Sequence, residues 1–192
     1  MGYYQNAARG LKMMFWAQIV SIIAAVFSSI SLIGVIGSLA GVACYAITIM
    51  GVYVAGKDDE GFKKAFILTV VSLALSLVSV ILGFIPLLGG VLSTIIGVLT
   101  SILGLIVKFY IITTIAGILR RIGADDVADK GKTVWQIVMF CTVAGAIISI
   151  LMLIPIINII ASVFAFIVAV ADVIGAILYL VYLYKSYKAL GA

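Results

Sequence analysis

Residues 65–119 read AFILTVVSLALSLVSVILGFIPLLGGVLSTIIGVLTSILGLIVKFYIITTIAGIL, with Lys108 as the only charge. A helix needs about 20 apolar residues to cross the hydrocarbon core of a bilayer, so this run is long enough for two passes. Two passes return the chain to the side it left. The turn between them falls at 84–91 (FIPLLGGV), where Pro86 has no amide to donate and ends the first helix.

The flanks repeat the arrangement. Uncharged runs cover 13–56 and 133–184, the second broken only by Asp172, and their turns fall at 31–41 and at 153–160 around Pro155. Every other charge lies in four clusters, at 9–12, 57–64, 120–132 and 185–188. An even number of passes between successive clusters puts all four on one side. The expected fold is therefore all-α integral membrane, with six transmembrane helices as three antiparallel hairpins. They form a single membrane domain, 1–192, with hairpins at about 13–56, 65–119 and 134–184. The individual spans are expected near 13–33, 38–56, 65–85, 89–118, 134–154 and 157–184.

Composition excludes the other classes. The chain is 66% hydrophobic and 10% charged, whereas soluble domains carry about 25% charged residues. Disorder requires polar residues that are scarce here, and the continuous runs lack the alternation of a membrane β-barrel. Lys and Arg concentrate in the clusters while the opposite turns carry no charge, so the positive-inside rule puts both termini in the cytoplasm. The apolar run after Arg9 and Lys12 is too long for a signal peptide, and the first span is expected to stay uncleaved. The implied location is a cell membrane, as a multi-pass protein of bacterial inner-membrane type.

The second and third hairpins resemble each other at an offset of 69 residues: Phe66 with Trp135, Pro86 with Pro155, Tyr110 with Tyr179. The first fits more loosely, with Lys12 and Phe15 standing where Lys63 and Phe66 stand. Aromatics expected to anchor the inner interface include Trp16, Phe66, Trp135 and Tyr184, since amphipathic rings favour the headgroup level.

Helix association in lipid depends on small residues that let backbones approach. The stripes expected to do this include Gly37 and Gly41, Ser72 and Ser76, Gly97, Ser101 and Gly104, and Gly145. Lys108 and Asp172 are the two intramembrane charges. Lys108 lies 12 residues before Arg120 and Asp172 lies 13 before Lys185, which sets both about 18–20 Å from the inner clusters. Each costs a few kcal/mol at the bilayer centre, so each should face protein and find a partner. The leading reading is a charge pair that docks the second hairpin on the third. The alternatives are a titrating Asp172 with Lys108 as counter-ion, and a Lys108 that snorkels to the interface.

No enzyme is expected. The chain has no His, which removes serine–histidine chemistry and the commonest metal ligand. A lone membrane Asp does not make an aspartyl dyad. Cys44 and Cys141 form no disulfide framework, and no metal or cofactor motif is present. The linker acids lack calcium-loop spacing and are expected near helix N-termini. The function expected from sequence is a non-enzymatic structural, scaffold, assembly or lipid-organising role. The alternative is a small transporter or channel for protons, cations or a small solute, using Asp172 and Lys108. The expected partners are the lipid bilayer, anionic headgroups at the cytoplasmic face and a second copy of the chain, with no nucleic acid.

Overall fold

The computed structural model describes residues 4–28, 34–83, 89–152, 154 and 158–191. The turns expected around Ser31, Pro86 and Pro155 lie outside them. Six helices follow one another: α1 (Gln5–Ser28), α2 (Gly34–Ala55), α3 (Glu60–Gly83), α4 (Gly89–Arg121), α5 (Asp125–Leu151) and α6 (Asn158–Ala189). No strand occurs among the described residues. α3 to α6 contain stretches long and apolar enough to cross a bilayer: Glu60–Leu82, Val91–Arg121, Asp125–Leu151 and Val163–Ala189. The chain is a helical membrane protein. α1 and α2 do not reach that measure within the described residues, because α1 opens with Gln5, Arg9 and Lys12 and the apolar stretch described in α2 is Ala40–Ala55.

Helix is the form these sequences must take in lipid, since it satisfies every interior backbone group within the segment. Six hydroxyls are absorbed by the same ladder. Thr48, Thr69, Ser76, Ser101, Ser149 and Ser186 each donate to the carbonyl four residues back, at 2.7–2.9 Å.

The helices run further than the apolar runs. α1 starts eight residues before the expected position 13, α5 starts nine before 134, and α6 continues five past 184. Charges mark the edge of the hydrocarbon, not the end of the helix. Past that edge the helices still bury one side, through Ala7 and Leu11 on α1, Ala128 on α5 and Tyr187 on α6.

Each helix packs on its sequence neighbours, and α6 returns to α1, so the six close a ring. α4 and α6 touch only lightly across α5. The packed core occupies one end of this ring. In α3 the described buried residues stop at Ser72, and in α5 they stop at Cys141. In α4 they begin at Val107, and in α6 at Gly175. The full core joins Leu11, Val52, Phe62, Ile115, Leu119 and Leu183. Beyond it the helices expose large side chains such as Phe140, Phe164 and Phe166.

The charged clusters gather at the packed end. Asp58 accepts from Ala7 N and from Asn6 Nδ2, both at 2.7 Å, and so caps α1 from the α2–α3 linker. Asp59 caps its own helix α3 through Gly61 N at 2.8 Å and faces Arg121 at 3.5 Å. Arg121 also donates to the Tyr4 hydroxyl, and Arg120 pairs with Asp129 at 3.0 Å. The linker acids lie near helix N-termini, as expected; beyond that, Asp58 and Asp59 cap helices and help tie three segments together. Between α4 and α5, Gly123 has φ +77°, the left-handed region. Its amide donates to Arg120 O and the Ala124 amide to Leu119 O, which closes α4 with a Schellman motif.

Candidate functional site: a polar cleft among α4, α5 and α6

α4, α5 and α6 line an open cleft of about 710 Å³. α4 lines it from Thr94 through Gly97, Ser101 and Gly104 to Lys108. Fourteen residues of helix give a length of about 21 Å. α5 contributes Cys141, Thr142, Gly145 and Ser149, and α6 contributes Asp172 and Ala176. The lining is mostly small or hydroxylated residues, with Val98 and Leu105 as its large apolar members, plus one cation and one anion.

The cleft ends where the core begins. On each of the three helices the next residues toward the charged end are buried: Val107, Ile111 and Ile112 on α4, Val138 on α5, Tyr179 and Tyr182 on α6. Tyr182 fastens this plug, its hydroxyl donating to Ile112 O at 3.3 Å while its ring end lies over Gly131. A Cβ at Gly131 would stand 2.7 Å from that hydroxyl.

Lys108 and Asp172 come to the same cleft, and both are exposed within it. No ion pair joins them among the described residues, although Asp172 lies near enough to act electrostatically on Lys108. Lys108 is on α4 and Asp172 on α6, and α5 stands between those two helices. The cation and the anion therefore flank a shared polar space.

Comparison with protein-family models, curated proteins and solved structures finds no match to this chain. The chemistry of the cleft is read from its residues alone.

The small-residue stripes divide into two groups. Ser72 is buried, and its carbonyl receives Ser76. Gly41, Gly97 and Gly104 have nothing within 4 Å of a Cβ position, and Gly145 meets only Val168 Cγ1 at 3.9 Å. Among the described residues these glycines make no close helix crossing, and those on α4 and α5, with Ser101, leave the space that becomes the cleft. Gly37 is helical and its surroundings lie outside the described residues. The close crossings fall elsewhere. A Cβ on Gly51 would stand 2.8 Å from Gly10 O, and one on Gly61 would strike Thr114 Oγ1. Neither crossing has a motif within one helix, because each glycine meets an atom of a different helix.

The expected anchors surround the packed end. Phe15 has its ring centre 5.5 Å from those of Trp16, Tyr184 and Tyr187. Phe66 packs on Tyr53 at 5.3 Å and Trp135 on Phe109 at 5.0 Å. Trp16 and Tyr184 are exposed. No group of three or more His, Cys, Asp or Glu able to hold a metal occurs among the described residues.

Proposed function

We propose that the chain binds a small polar solute or ion in the α4–α5–α6 cleft and moves it through the membrane, with Asp172 as cation or proton site and Lys108 as counter-ion. The observation that carries this reading is that the two membrane charges share one polar cleft without touching. Each charge is expensive in lipid. If the pair only docked helices, contact would give the most favourable Coulomb term, since attraction falls with separation. Held apart around a cleft, the two charges retain electrostatic attraction for a bound ion or zwitterion. The plug of Ile111, Ile112, Tyr179 and Tyr182 closes the cleft toward the charged end, so passage requires the plug to open. Nothing in this role calls for covalent chemistry, and the protein is proposed as a non-enzyme.

The membrane arrangement proposed with it has all six helices crossing as three related hairpins, with both termini cytoplasmic in a bacterial inner membrane. Its support is the uncharged run 13–56, which takes in α1 beyond Lys12 and the whole of α2. In addition, the four charge clusters gather at one end of the bundle. Reporter fusions after 57–64 and 120–132 should both report the cytoplasm, and a periplasmic signal from either would overturn the arrangement.

The functional test is flux. Purified protein in liposomes should conduct protons or a monovalent cation, and Asp172→Asn should abolish conduction while leaving a folded monodisperse protein. Absence of flux from wild type, with a defined oligomer in its place, would return the scaffold reading. That second reading is favoured by the exposed rings of Phe140, Phe164 and Phe166, which lipid or a second copy would cover.

A further inference from the structure

A second concavity lies on the opposite side of the ring, between α1 and α2, with a volume of about 580 Å³. Arg9 and Lys12 stand at its mouth, near the packed end. Beyond them Met13, Trp16 and Val20 form one wall and Ile47 part of the other. The α2 floor is small, with Ala40, Ala43 and Cys44. From Arg9 to Val20 the groove follows eleven residues of helix, about 16 Å.

Its charge is uncompensated. Arg9 and Lys12 are exposed, and neither has an ion pair among the described residues. The acids nearby are engaged elsewhere, Asp58 with Asn6 and Ala7, Asp59 with Gly61 and Arg121. Trp16 is 55% exposed beside the two cations. Two cations, an interfacial tryptophan and a long apolar trough run in that order along one helix face. An anionic phospholipid has the matching order: phosphate, glycerol backbone, acyl chain.

We infer that the α1–α2 groove is a specific site for an anionic phospholipid, with the phosphate between Arg9 and Lys12 and one acyl chain along Met13, Trp16 and Val20. The same recipe recurs in two smaller grooves at the packed end. One sets Lys57 and Lys63 beside Tyr53 and Phe66, and the other sets Arg120 and Lys132 beside Trp135. In both of these a cation is already engaged, Lys57 over the Tyr53 ring and Arg120 with Asp129. Of these three grooves, the one between α1 and α2 combines two unpaired cations with the long trough. This site shares no residue with the cleft and stands whether or not the cleft transports.

Quenching of Trp16 tests it. Trp135→Phe leaves Trp16 as the only tryptophan, and the full chain is placed in phosphatidylcholine bilayers containing a minority of brominated phosphatidylglycerol or brominated phosphatidylcholine. The phosphatidylglycerol should be preferred about tenfold, the scale set by one to two cations acting on an anionic headgroup. Arg9→Gln with Lys12→Gln should remove the preference. Ala43→Phe, which fills the floor and leaves both cations, should weaken quenching by either lipid. Native mass spectrometry of the wild-type chain in detergent, with the same two lipids, gives a readout that does not depend on the Trp135 substitution. Equal quenching by the two lipids, or a preference that survives loss of both cations, overturns the site. So does an unquenched Trp16 in a chain that runs as a dimer, which would put a second copy in the groove.

Discussion

Two chemically identical substitutions, Gly10→Ala and Gly97→Ala, should move stability in opposite directions. An alanine Cβ at Gly10 would collide with the Gly51 carbonyl oxygen and lie 2.8 Å from Ala55 N and 2.9 Å from Ala55 Cβ. Two of those three atoms are backbone, so relief requires α1 and α2 to separate. Overpacking a core costs about 1–3 kcal/mol, and an obstructing main chain puts Gly10 at the upper end. Alanine gains about 1 kcal/mol over glycine in a helix, leaving a net loss of about 2 kcal/mol. At Gly97 nothing lies within 4 Å of the new carbon, so only the gain of up to about 1 kcal/mol remains. The two variants should therefore differ by about 3 kcal/mol. Equilibrium unfolding in mixed micelles of dodecyl maltoside and dodecyl sulfate, followed by far-ultraviolet circular dichroism, reads the difference. Gly51→Ala gives an internal check, since its Cβ meets Gly10 O at 2.8 Å but also the movable Met14 Cγ at 2.9 Å, and it should fall between the other two. If Gly10→Ala and Gly97→Ala agree within about 0.5 kcal/mol, the crossing of α1 and α2 is not as close as described.

Other outcomes follow from single features. Asp58→Ala removes the cap on α1 and should cost about 1 kcal/mol in the same unfolding assay, with Asn6→Ala costing less; equal stability to wild type would mean the cap does not form. Lys108→Met and Asp172→Leu should show a coupling below about 1 kcal/mol in a double-mutant cycle, because the charges share a cleft without contact; near-complete recovery in the double variant would reveal a direct pair. A cysteine at Ser149, in a chain whose own cysteines are changed to alanine, should react with a water-soluble thiosulfonate faster than one at the lipid-facing Phe166. Equal slowness would mean that the cleft holds no water. Arg121→Gln should change stability little, and by less still at high salt, since the partners of this exposed residue are surface groups.

The course of the chain was legible because charge is sparse. Once Lys108 and Asp172 are set aside, the uncharged runs mark where lipid lies, and α3 to α6 coincide with them. Helix ends were less legible, and for a physical reason. A charged residue costs energy in hydrocarbon but almost nothing in a helix that projects past it. α1 begins at Gln5 and α5 at Asp125, both well inside segments that composition alone marks as linker. The role of Asp58 was hidden too, since its partner Ala7 lies 51 residues away and no local pattern joins them.

Small residues pose a deeper ambiguity. A glycine on a helix surface either admits a neighbouring backbone or leaves a void, and the choice belongs to whatever the opposite helix presents. Gly131 meets the Tyr182 ring, whereas Gly97 meets nothing. A stripe of Gly, Ser and Thr reads the same in both cases. Lys108 offered the one local sign that α4 differs, because a cation on a small-residue face cannot be packed against another backbone without desolvation.

Stability and chemistry are separated along the helix axes as a consequence. The glycine crossings, the aromatic plug and the linker network all lie toward the charged end, and the cleft occupies the stretch where the described residues of α4 before Val107 are no longer buried. Lys108 is the residue immediately after Val107, and Asp172 lies three before the buried Gly175. Both charges therefore sit at the boundary between packed and open helix. That boundary is where a charge can keep its side chain in a polar space while its backbone is held by a rigid neighbour. One turn nearer the core it would be buried without a partner, at a cost of several kcal/mol. Several turns farther out nothing would fix its distance from the other charge. Moving the lysine one turn in either direction, as Lys108→Leu with Gly104→Lys or with Ile112→Lys, should distinguish the two costs. The outward shift should leave a stable protein that has lost function, and the inward shift should fail to fold. A stable inward variant would mean that the core ends farther from the cleft than Val107.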